Sequence, residues 1–348
     1  MTSAAELGRA ARFAFARHET FHPRYGWLRK AFDAPSVGAD VFSKRDATVR
    51  LGVGKNMVHA IRYWGLAYKI LAEVPDPDHP RRSGVTVTPF GEILLSEDGW
   101  DPYLEQPGTL WLLHWQLLSA TCMAPAWWTL FNALEVTQLD DADLLGRVLD
   151  VVGAVPGWPD VAPGSVKKDI DCVLRMYASR GGGRQGIDDL LDSPFRELGL
   201  LEPVVGDPRV YRFAVGPKPS LPDAVVAYAS LAFAARAAGG SNTVTVARLA
   251  QEPSGPGRVF KIPAGAIAAA LGRVGATEKR LRVATPAGNP QLHFDAEPSS
   301  LALDVLAHWY RDSTGSTRRL PELEPTGPPQ RAPSRARRTR RQPEGAVP

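Results

Sequence analysis

The sequence predicts a mainly α-helical protein with small β-hairpins. A winged helix-turn-helix domain near the N-terminus is expected to precede a helical domain and a second winged-helix-like unit. Three observations predict this class: a helix–turn–helix–hairpin pattern in residues 43–96, tryptophans and leucines at helical spacing in residues 100–150, and Ala/Leu-rich helical stretches in residues 221–311. The 32 glycines and 31 prolines add frequent breaks between short elements.

The chain divides by composition into four expected regions. Residues 1–98 hold an N-terminal segment and the winged helix-turn-helix, residues 99–187 a tryptophan-rich helical domain, and residues 188–311 a mainly helical domain with the winged-helix-like unit. Residues 312–348 are rich in arginine and proline with few large apolar side chains, which predicts a disordered tail. With 348 residues, 44% of them hydrophobic, the chain can bury a sizeable core.

The helix-turn-helix is predicted from residue 46 onward. A short helix is expected at residues 46–51, a turn at Gly52–Gly54, and a long helix from Lys55 to about Val74. Apolar side chains recur along the long helix with the period of a buried stripe. Pro75 is expected to end this helix, because proline lacks a backbone donor and clashes with the preceding turn.

The hairpins are predicted from segments in which residue types alternate, and Pro89 marks the end of the first of them. Valines and threonines alternate over residues 85–88 as in a wing strand, and Pro89 begins a short helix. An alternating strand around residues 210–213 belongs to the expected second winged-helix-like unit, and a further hairpin is predicted near residues 281–294.

The net charge of +4 resides in the tail. From Ser313 to Pro348 the chain carries eight arginines and three glutamates, which leaves the remainder near neutral. Such a tail can bind DNA or RNA non-specifically or can simply solubilise a protein, and the sequence does not decide between these roles. A nucleic-acid interface in the body must therefore come from a local patch.

Cys122 and Cys172 are the two cysteines, and neither has a cysteine or histidine at zinc-ligand spacing. We expect buried free thiols in a reducing compartment and no zinc. The first residues lack the apolar stretch of a signal peptide, and no apolar run approaches the roughly 20 residues that span a bilayer. The expected location is the cytoplasm, without a membrane partner.

The predicted long helix offers a polar face for DNA. The candidate contact residues are Lys55, Asn56, His59, Arg62 and Tyr63, with Lys30 from the preceding segment. Asparagine and arginine can form two hydrogen bonds to a purine edge in the major groove, while lysine and arginine neutralise phosphates. The same residues also fit an ordinary solvated helix face, and winged helices also serve as protein–protein scaffolds.

The Gly52-Val-Gly-Lys55 segment lacks two residues of a phosphate-binding loop. Val49 stands where that motif requires glycine, and Asn56 follows the lysine in place of serine or threonine. No nucleotide cofactor is therefore expected.

The segment His18-Glu-Thr-Phe-His22 has two histidines four residues apart, as in helical metal sites. Pro23 follows directly, so the competing interpretation is a turn whose polar groups hold neighbouring elements together. As a hypothesis, the segment cleaves phosphodiesters, with Glu19 holding Mg²⁺ or Mn²⁺ and with His18 or His22 transferring a proton. Arg24 would then stabilise charge in the transition state. No other nuclease motif is recognisable.

Seven segments are collinear with one bacterial protein family over roughly residues 13–310. They are His18-Glu-Thr-Phe-His-Pro-Arg-Tyr-Gly-Trp27, Leu51-Gly-Val-Gly-Lys-Asn-Met57, Ile61-Arg-Tyr-Trp64, Thr88-Pro-Phe-Gly-Glu92, Asp101-Pro-Tyr-Leu-Glu105, Thr109-Leu-Trp-Leu-Leu-His-Trp115, and Asp192-Ser-Pro through Leu198-Gly-Leu200. Together they resemble the SspB-like family of phosphorothioation-associated proteins, defined as a domain of unknown function (DUF4007). The match is specific because no single short motif carries it.

The resemblance implies a role in placing sulfur in the DNA backbone for anti-phage defence. Members of the SspB type are understood to nick DNA and to work with a cysteine desulfurase, an ATP-pyrophosphatase and an ATPase. The resemblance supplies no catalytic residues for this sequence, and the Pro/Arg tail lies outside it.

The resulting expectation is a DNA-binding and DNA-nicking component of a phosphorothioate modification system that acts on double-stranded DNA. The alternative is a non-catalytic DNA-binding adaptor that recruits the sulfur-transfer enzymes. A transcriptional regulator is disfavoured, because about 250 residues beyond the winged helix show no ligand-sensor pattern. The sequence leaves a homodimer open.

Overall fold

A computed structural model describes residues 3–75, 83–178, 193–237 and 240–318. Helices dominate these residues, and the strands form one two-stranded and two three-stranded antiparallel sheets. This confirms the predicted mainly α-helical class with small hairpins. None of the described helices combines the length and the apolar character that crossing a lipid bilayer requires.

The N-terminal part consists of short helices around one hairpin. The helices are α1 (Ser3–Ala10), α2 (Trp27–Asp33), α3 (Ala47–Leu51), α4 (Lys55–Ala67) and α5 (Pro89–Leu95). The hairpin pairs β1 (Leu71–Pro75) with β2 (Ser83–Val87) and sets Leu71 opposite Val87. The order of these elements agrees with the helix–turn–helix–hairpin prediction.

Helix α4 is shorter than predicted. It ends at Ala67, where the sequence predicted continuation to about Val74. Lys69 has a φ of +61°, outside the helical region, and the Ile70 N–H bonds back to the Gly65 carbonyl. The residues that follow form β1 and pair with β2 in antiparallel register, so strand pairing outweighs the helical period that the sequence also shows.

The middle of the chain surrounds one buried helix. Helix α6 (Pro107–Leu118) is followed by α7 (Pro125–Trp128), α8 (Asp141–Gly153) and α9 (Pro163–Tyr177). Every residue of α6 after Pro107 is buried. The tryptophans at positions 100, 111, 115, 127 and 128 are at most 2% exposed, which confirms that they are core residues.

Two three-stranded sheets accompany the C-terminal helices. The first contains β3 (Gln138–Asp140), β4 (Leu201–Val204) and β5 (Asp207–Phe213), with β5 in the centre. The second contains β6 (Thr243–Thr245), β7 (Leu281–Ala284) and β8 (Gln291–Phe294), with β8 in the centre. The helices are α10 (Asp223–Ala237), α11 (Val246–Gln251), α12 (Pro256–Phe260), α13 (Ala264–Thr277) and α14 (Pro298–Thr314). The predicted strand near residue 210 and the hairpin near residues 281–294 are both present.

Buried apolar side chains from Ala4 to Tyr310 form one continuous cluster. Both cysteines are buried and free, as expected. Helix α14 continues to Thr314, and Arg318 then pairs with Asp98 at 2.7 Å, so the first residues of the predicted tail contact the folded part. The tail from residue 319 onward lies outside the described residues.

His114 is a buried polar residue of α6 that the sequence did not single out. Its Nδ1 lies 2.7 Å from the Tyr177 hydroxyl, and its Nε2 lies 2.9 Å from the Val259 carbonyl oxygen. Because a carbonyl only accepts, we assign the proton to Nε2, and Nδ1 accepts from the tyrosine. Burial lowers the pKa of His114 to about 3, so the folded protein holds the neutral ring.

We predict that acid destabilises the fold through His114. Below the ordinary pKa of 6.5 the unfolded chain binds a proton that the folded chain excludes, so stability falls as the pH drops from 6.5 toward 3. Between pH 7 and pH 5 this group should lower the free energy of unfolding by about 2 kcal/mol in urea titrations. His114→Gln keeps a donor and an acceptor and should lack this part of the pH dependence. An equal loss in both proteins would contradict the assignment.

We predict a packing penalty at Gly91, in the first turn of α5. A Cβ atom there would lie 2.5 Å from the carbonyl oxygen of Ile70, which is closer than van der Waals contact allows. Gly91→Ala should lower the free energy of unfolding by about 1–3 kcal/mol. Gly146→Ala in α8 is the matched control, because a Cβ there meets no atom within 4 Å and alanine favours helix. The packing argument fails if Gly91→Ala is as stable as the control.

Candidate nucleic-acid interface

The turn before α4 forms where glycine permits it. Gly52 ends α3 in the left-handed conformation, with φ +62° and ψ +36°, and its N–H bonds to carbonyls of that helix. Gly54 is the N-terminal cap of α4 and has an extended conformation. The predicted turn is therefore present at Gly52–Gly54, and Lys55 is the first residue of α4.

The outer side of α4 exposes three of the predicted contact residues. Lys55, Asn56 and His59 are exposed, while the opposite side, which includes Ile61 and Trp64, is buried in the core. Lys55 and Asn56 occupy the first turn, where free backbone N–H groups add positive potential. This exposed set is called the α4 face below.

Arg62 connects α4 to the hairpin. Its Nη2 donates to Glu73 Oε1 at 2.8 Å and to Ser83 Oγ at 2.9 Å. Burial alone would raise the pKa of Glu73, but the hydrogen bond and charge of Arg62 outweigh it, and the pKa lies below its ordinary value. Arg62 is therefore already bound to other residues of the protein. Contact with a DNA base would first have to break its ion pair with Glu73.

Two other predicted contact residues have structural partners. Tyr63 is 5% exposed and donates its hydroxyl hydrogen to the Met123 carbonyl at 3.0 Å, and burial raises its pKa. Lys30 is exposed and donates from Nζ to the Leu51 carbonyl at 2.8 Å, at the end of α3. The structure therefore places neither residue on the α4 face, because helix periodicity turns Tyr63 inward and Lys30 binds α3.

His18 lies in the core rather than on a helical metal site. It is 1% exposed, and its Nε2 lies 2.8 Å from Asp169 Oδ1 on α9. The same carboxylate oxygen accepts the Ala16 N–H at 2.8 Å. Burial raises the pKa of Asp169, although the hydrogen bond and charge of His18 act in the opposite direction. The pair joins residues 16–20, which form a turn, to α9, as the competing interpretation predicted.

The remaining residues of the predicted cleavage segment point to different places. His22 is 6% exposed, with Nδ1 3.4 Å from the Pro23 carbonyl oxygen. The Arg24 guanidinium lies over the rings of Phe21 and Trp27, at 5.9 and 5.8 Å from their centroids. Glu19 is exposed, in a left-handed backbone conformation with φ +50°. Of the four predicted residues, only Glu19 lines the cleft described next.

A cleft of about 800 Å³ opens beside the α4 face, and we call it the α4 cleft. Its lining residues are Arg12, Phe13, Ala14, Phe15, Ala16, Arg17, Glu19, His59, Arg62, Tyr63, Leu66, Glu73, Met123, Asp160, Val161, Ala162 and Ser165. His59 belongs to both the face and the cleft, so the two surfaces are continuous.

Sequence reasoning missed two cations of this cleft. Arg12 and Arg17 are exposed, and neither forms an ion pair with another described residue. The signal was present, because arginines interleave with Phe13 and Phe15, which is a pattern of nucleic-acid-binding surfaces. Asp160 also lines the cleft, and no recognisable motif in the sequence surrounds it.

The acidic groups of the cleft suit a hard divalent cation. Glu19 and Asp160 are both exposed carboxylates in its lining, whereas Glu73 is engaged by Arg62. Within the described ranges no cluster of three or more His, Cys, Asp or Glu residues is placed to hold a metal. Mg²⁺ keeps several waters and is often bound through one or two carboxylates, so Glu19 or Asp160 is a residue that would hold it in this cleft.

Comparison with known proteins identifies the family. A family model described as a protein of unknown function (DUF4007) matches residues 15–310. Two crystal structures, of magnesium ion-bound SspB and of SspB, are 42% identical to the chain, with TM-scores of 0.83 and 0.82, and each alignment covers 88% of this chain and 91% of the other. No curated protein sequence matches. Because the family model spans most of the sequence, the chain belongs to the DUF4007 family, as the resemblance indicated.

Proposed function

We propose that the protein binds double-stranded DNA and nicks one strand as a component of a DNA phosphorothioate modification system. The observation that carries the proposal is the continuity of two surfaces: the exposed α4 face adjoins a cleft with three arginines and three carboxylates, of which, in the described part of the chain, only Arg62 and Glu73 pair with each other. Family membership supports the link to phosphorothioation, because the similar solved structures are of SspB, whose family suggested that role.

Residues 47–95 would act as a winged helix. Their order, α3, turn, α4, hairpin and α5, is that of the motif, in which the second helix enters the major groove. Lys55 would bind a backbone phosphate and Asn56 a purine edge. Because Arg62 ties α4 to both strands, the hairpin would keep a fixed position beside the groove.

The α4 cleft is the proposed place of strand cleavage. Arg12 and Arg17 would bind phosphates of the strand. Mg²⁺ or Mn²⁺ held by Glu19 and Asp160 would supply Lewis-acid polarisation of the phosphate and a more acidic bound water. Mg²⁺ is the first metal to test, because one of the similar SspB structures is magnesium ion-bound.

A different histidine takes the proposed proton-transfer role. His59 is the histidine that lines the α4 cleft, so we assign proton transfer to it in place of His18 or His22. His18 becomes a positioning residue, because its bond to Asp169 fixes the turn that carries Glu19. Arg24, which the sequence suggested as a stabiliser of transition-state charge, is outside the cleft lining, and we now assign it a positioning role through its ring contacts.

A non-catalytic adaptor is the second candidate function. It is favoured by the small number of carboxylates in the cleft, since the described residues hold no group of three metal-type ligands. An adaptor would bind DNA through the same α4 face and present it to the cysteine desulfurase, the ATP-pyrophosphatase and the ATPase. Two copies of the chain could bind two half-sites, which a stoichiometry measurement on DNA would reveal.

We predict that substitutions on the α4 face weaken duplex binding. Asn56→Ala should cost on the order of 1–3 kcal/mol in binding free energy on a preferred DNA sequence. Lys55→Ala should reduce the salt slope, which is the slope of log affinity against log salt concentration, by about 1, as expected for the loss of one phosphate contact. Arg62→Ala should have a smaller effect, because Arg62 is paired with Glu73. Fluorescence anisotropy at several salt concentrations measures each constant.

The matched control for this series is Lys279→Ala. Lys279 is exposed on the chain between α13 and β7 and donates to the Ala276 carbonyl at 2.6 Å. The Lys279→Ala variant should bind DNA as the unchanged protein does. If Lys55→Ala and Lys279→Ala have the same affinity and salt slope, the α4 face is not the DNA interface.

We predict metal-dependent nicking of supercoiled plasmid. Open-circular product should form with Mg²⁺ or Mn²⁺ and should not form in EDTA. Glu19→Gln should abolish nicking and leave duplex affinity unchanged, while Glu105→Gln, which alters an exposed carboxylate outside the cleft lining, should retain activity. Absence of nicking by the unchanged protein would favour the adaptor, and full activity of Glu19→Gln would remove Glu19 from the site.

A further inference from the structure

We infer that the α4 cleft receives one unstacked nucleotide, whose base stacks on the ring of Phe13. This inference rests on the proposed function and names its substrate class: duplex DNA in which one nucleotide is free to leave the helix. It is supported by the exposed ring of Phe13, the size of the cleft and the charged residues that line it.

Phe13 presents a held but exposed aromatic ring. It is 40% exposed and belongs to the cleft lining. The rings of Phe15 and Trp158 form T-shaped contacts with it, at centroid distances of 5.2 and 5.6 Å and interplanar angles of 71° and 85°. These contacts hold the ring in place, while Phe13 stays 40% exposed in the cleft lining. Base–aromatic stacking needs such a ring and accepts any base.

The cleft has a suitable size for a nucleotide but not for a duplex. A volume of about 800 Å³ lies in the range of small-molecule sites, which also bury most of their ligand. A base inside an intact helix is already stacked on both sides, so it can reach a pocket only after leaving the stack. Leu66, Met123 and Val161 also line the cleft and offer apolar contacts to a base.

The charges of the cleft match a nucleotide in one strand. Arg12 and Arg17 line the cleft together with Phe13, so the phosphates of a nucleotide stacked there would have cations in the same cleft. Glu19 and Asp160 would repel further phosphates unless a divalent cation is present. His59 connects the cleft to the α4 face, which would hold the adjoining duplex.

The test compares two labelled DNA probes by anisotropy: an intact duplex, and the same duplex with one central unpaired adenine. Ca²⁺ replaces Mg²⁺, because it binds similar oxygen ligands. The unchanged protein should bind the bulged probe about tenfold more tightly, as expected for one base–aromatic stack. Phe13→Ala should lose this preference, and Phe13→Trp should keep it. Tyr103→Ala, which removes a 65% exposed ring outside the cleft, should also keep it.

The outcomes separate this inference from the proposed function. If both probes bind with equal affinity and Lys55→Ala weakens both, DNA binding stands and the inference is overturned. The inference is also overturned if Phe13→Ala keeps the preference. If neither probe binds the unchanged protein, the proposed function and the inference both fail. A preference that is lost only in Phe13→Ala supports both.

Discussion

The aromatic packing around Trp64 is the constraint on which the rest of the structure depends. Trp64 is fully buried on α4, with ring centroids of Trp127 and His18 at 5.6 and 6.1 Å, and its indole N–H donates to the Phe21 carbonyl at 2.9 Å. Large rings with a hydrogen-bonded edge fix orientation as well as burying area. Helix α4 is therefore locked in rotation, and the side that carries Lys55 must face outward.

The same core positions the cleft. The buried bond between His18 and Asp169 joins the turn at residues 16–20 to α9, whose first turn contributes Ser165 to the cleft lining. Burial opposes ionisation of Asp169, so this contact is maintained at a cost in desolvation. The cleft is thus formed by segments that share one set of buried contacts with α4. These shared contacts would keep the α4 face and the α4 cleft at a constant spacing.

Local signals in the sequence predicted the elements that local chemistry controls. The turn at Gly52–Gly54 follows from glycine, and the buried tryptophans follow from helical spacing. Strand β1 was missed because its apolar residues also satisfy a helical period. Only pairing with β2 decides between a helix and a strand there. The cleft was missed because its residues come from distant segments, and the partner of His18 lies 151 positions away along the chain.

Hydrogen–deuterium exchange with and without a bulged duplex tests most directly whether the locked α4 face and its cleft form one DNA interface. DNA should slow exchange in residues 12–20 and in the first turns of α4 together, because both surfaces would be covered by the same molecule. Protection confined to the C-terminal helices, or an unchanged pattern under conditions where DNA is bound, would contradict this account.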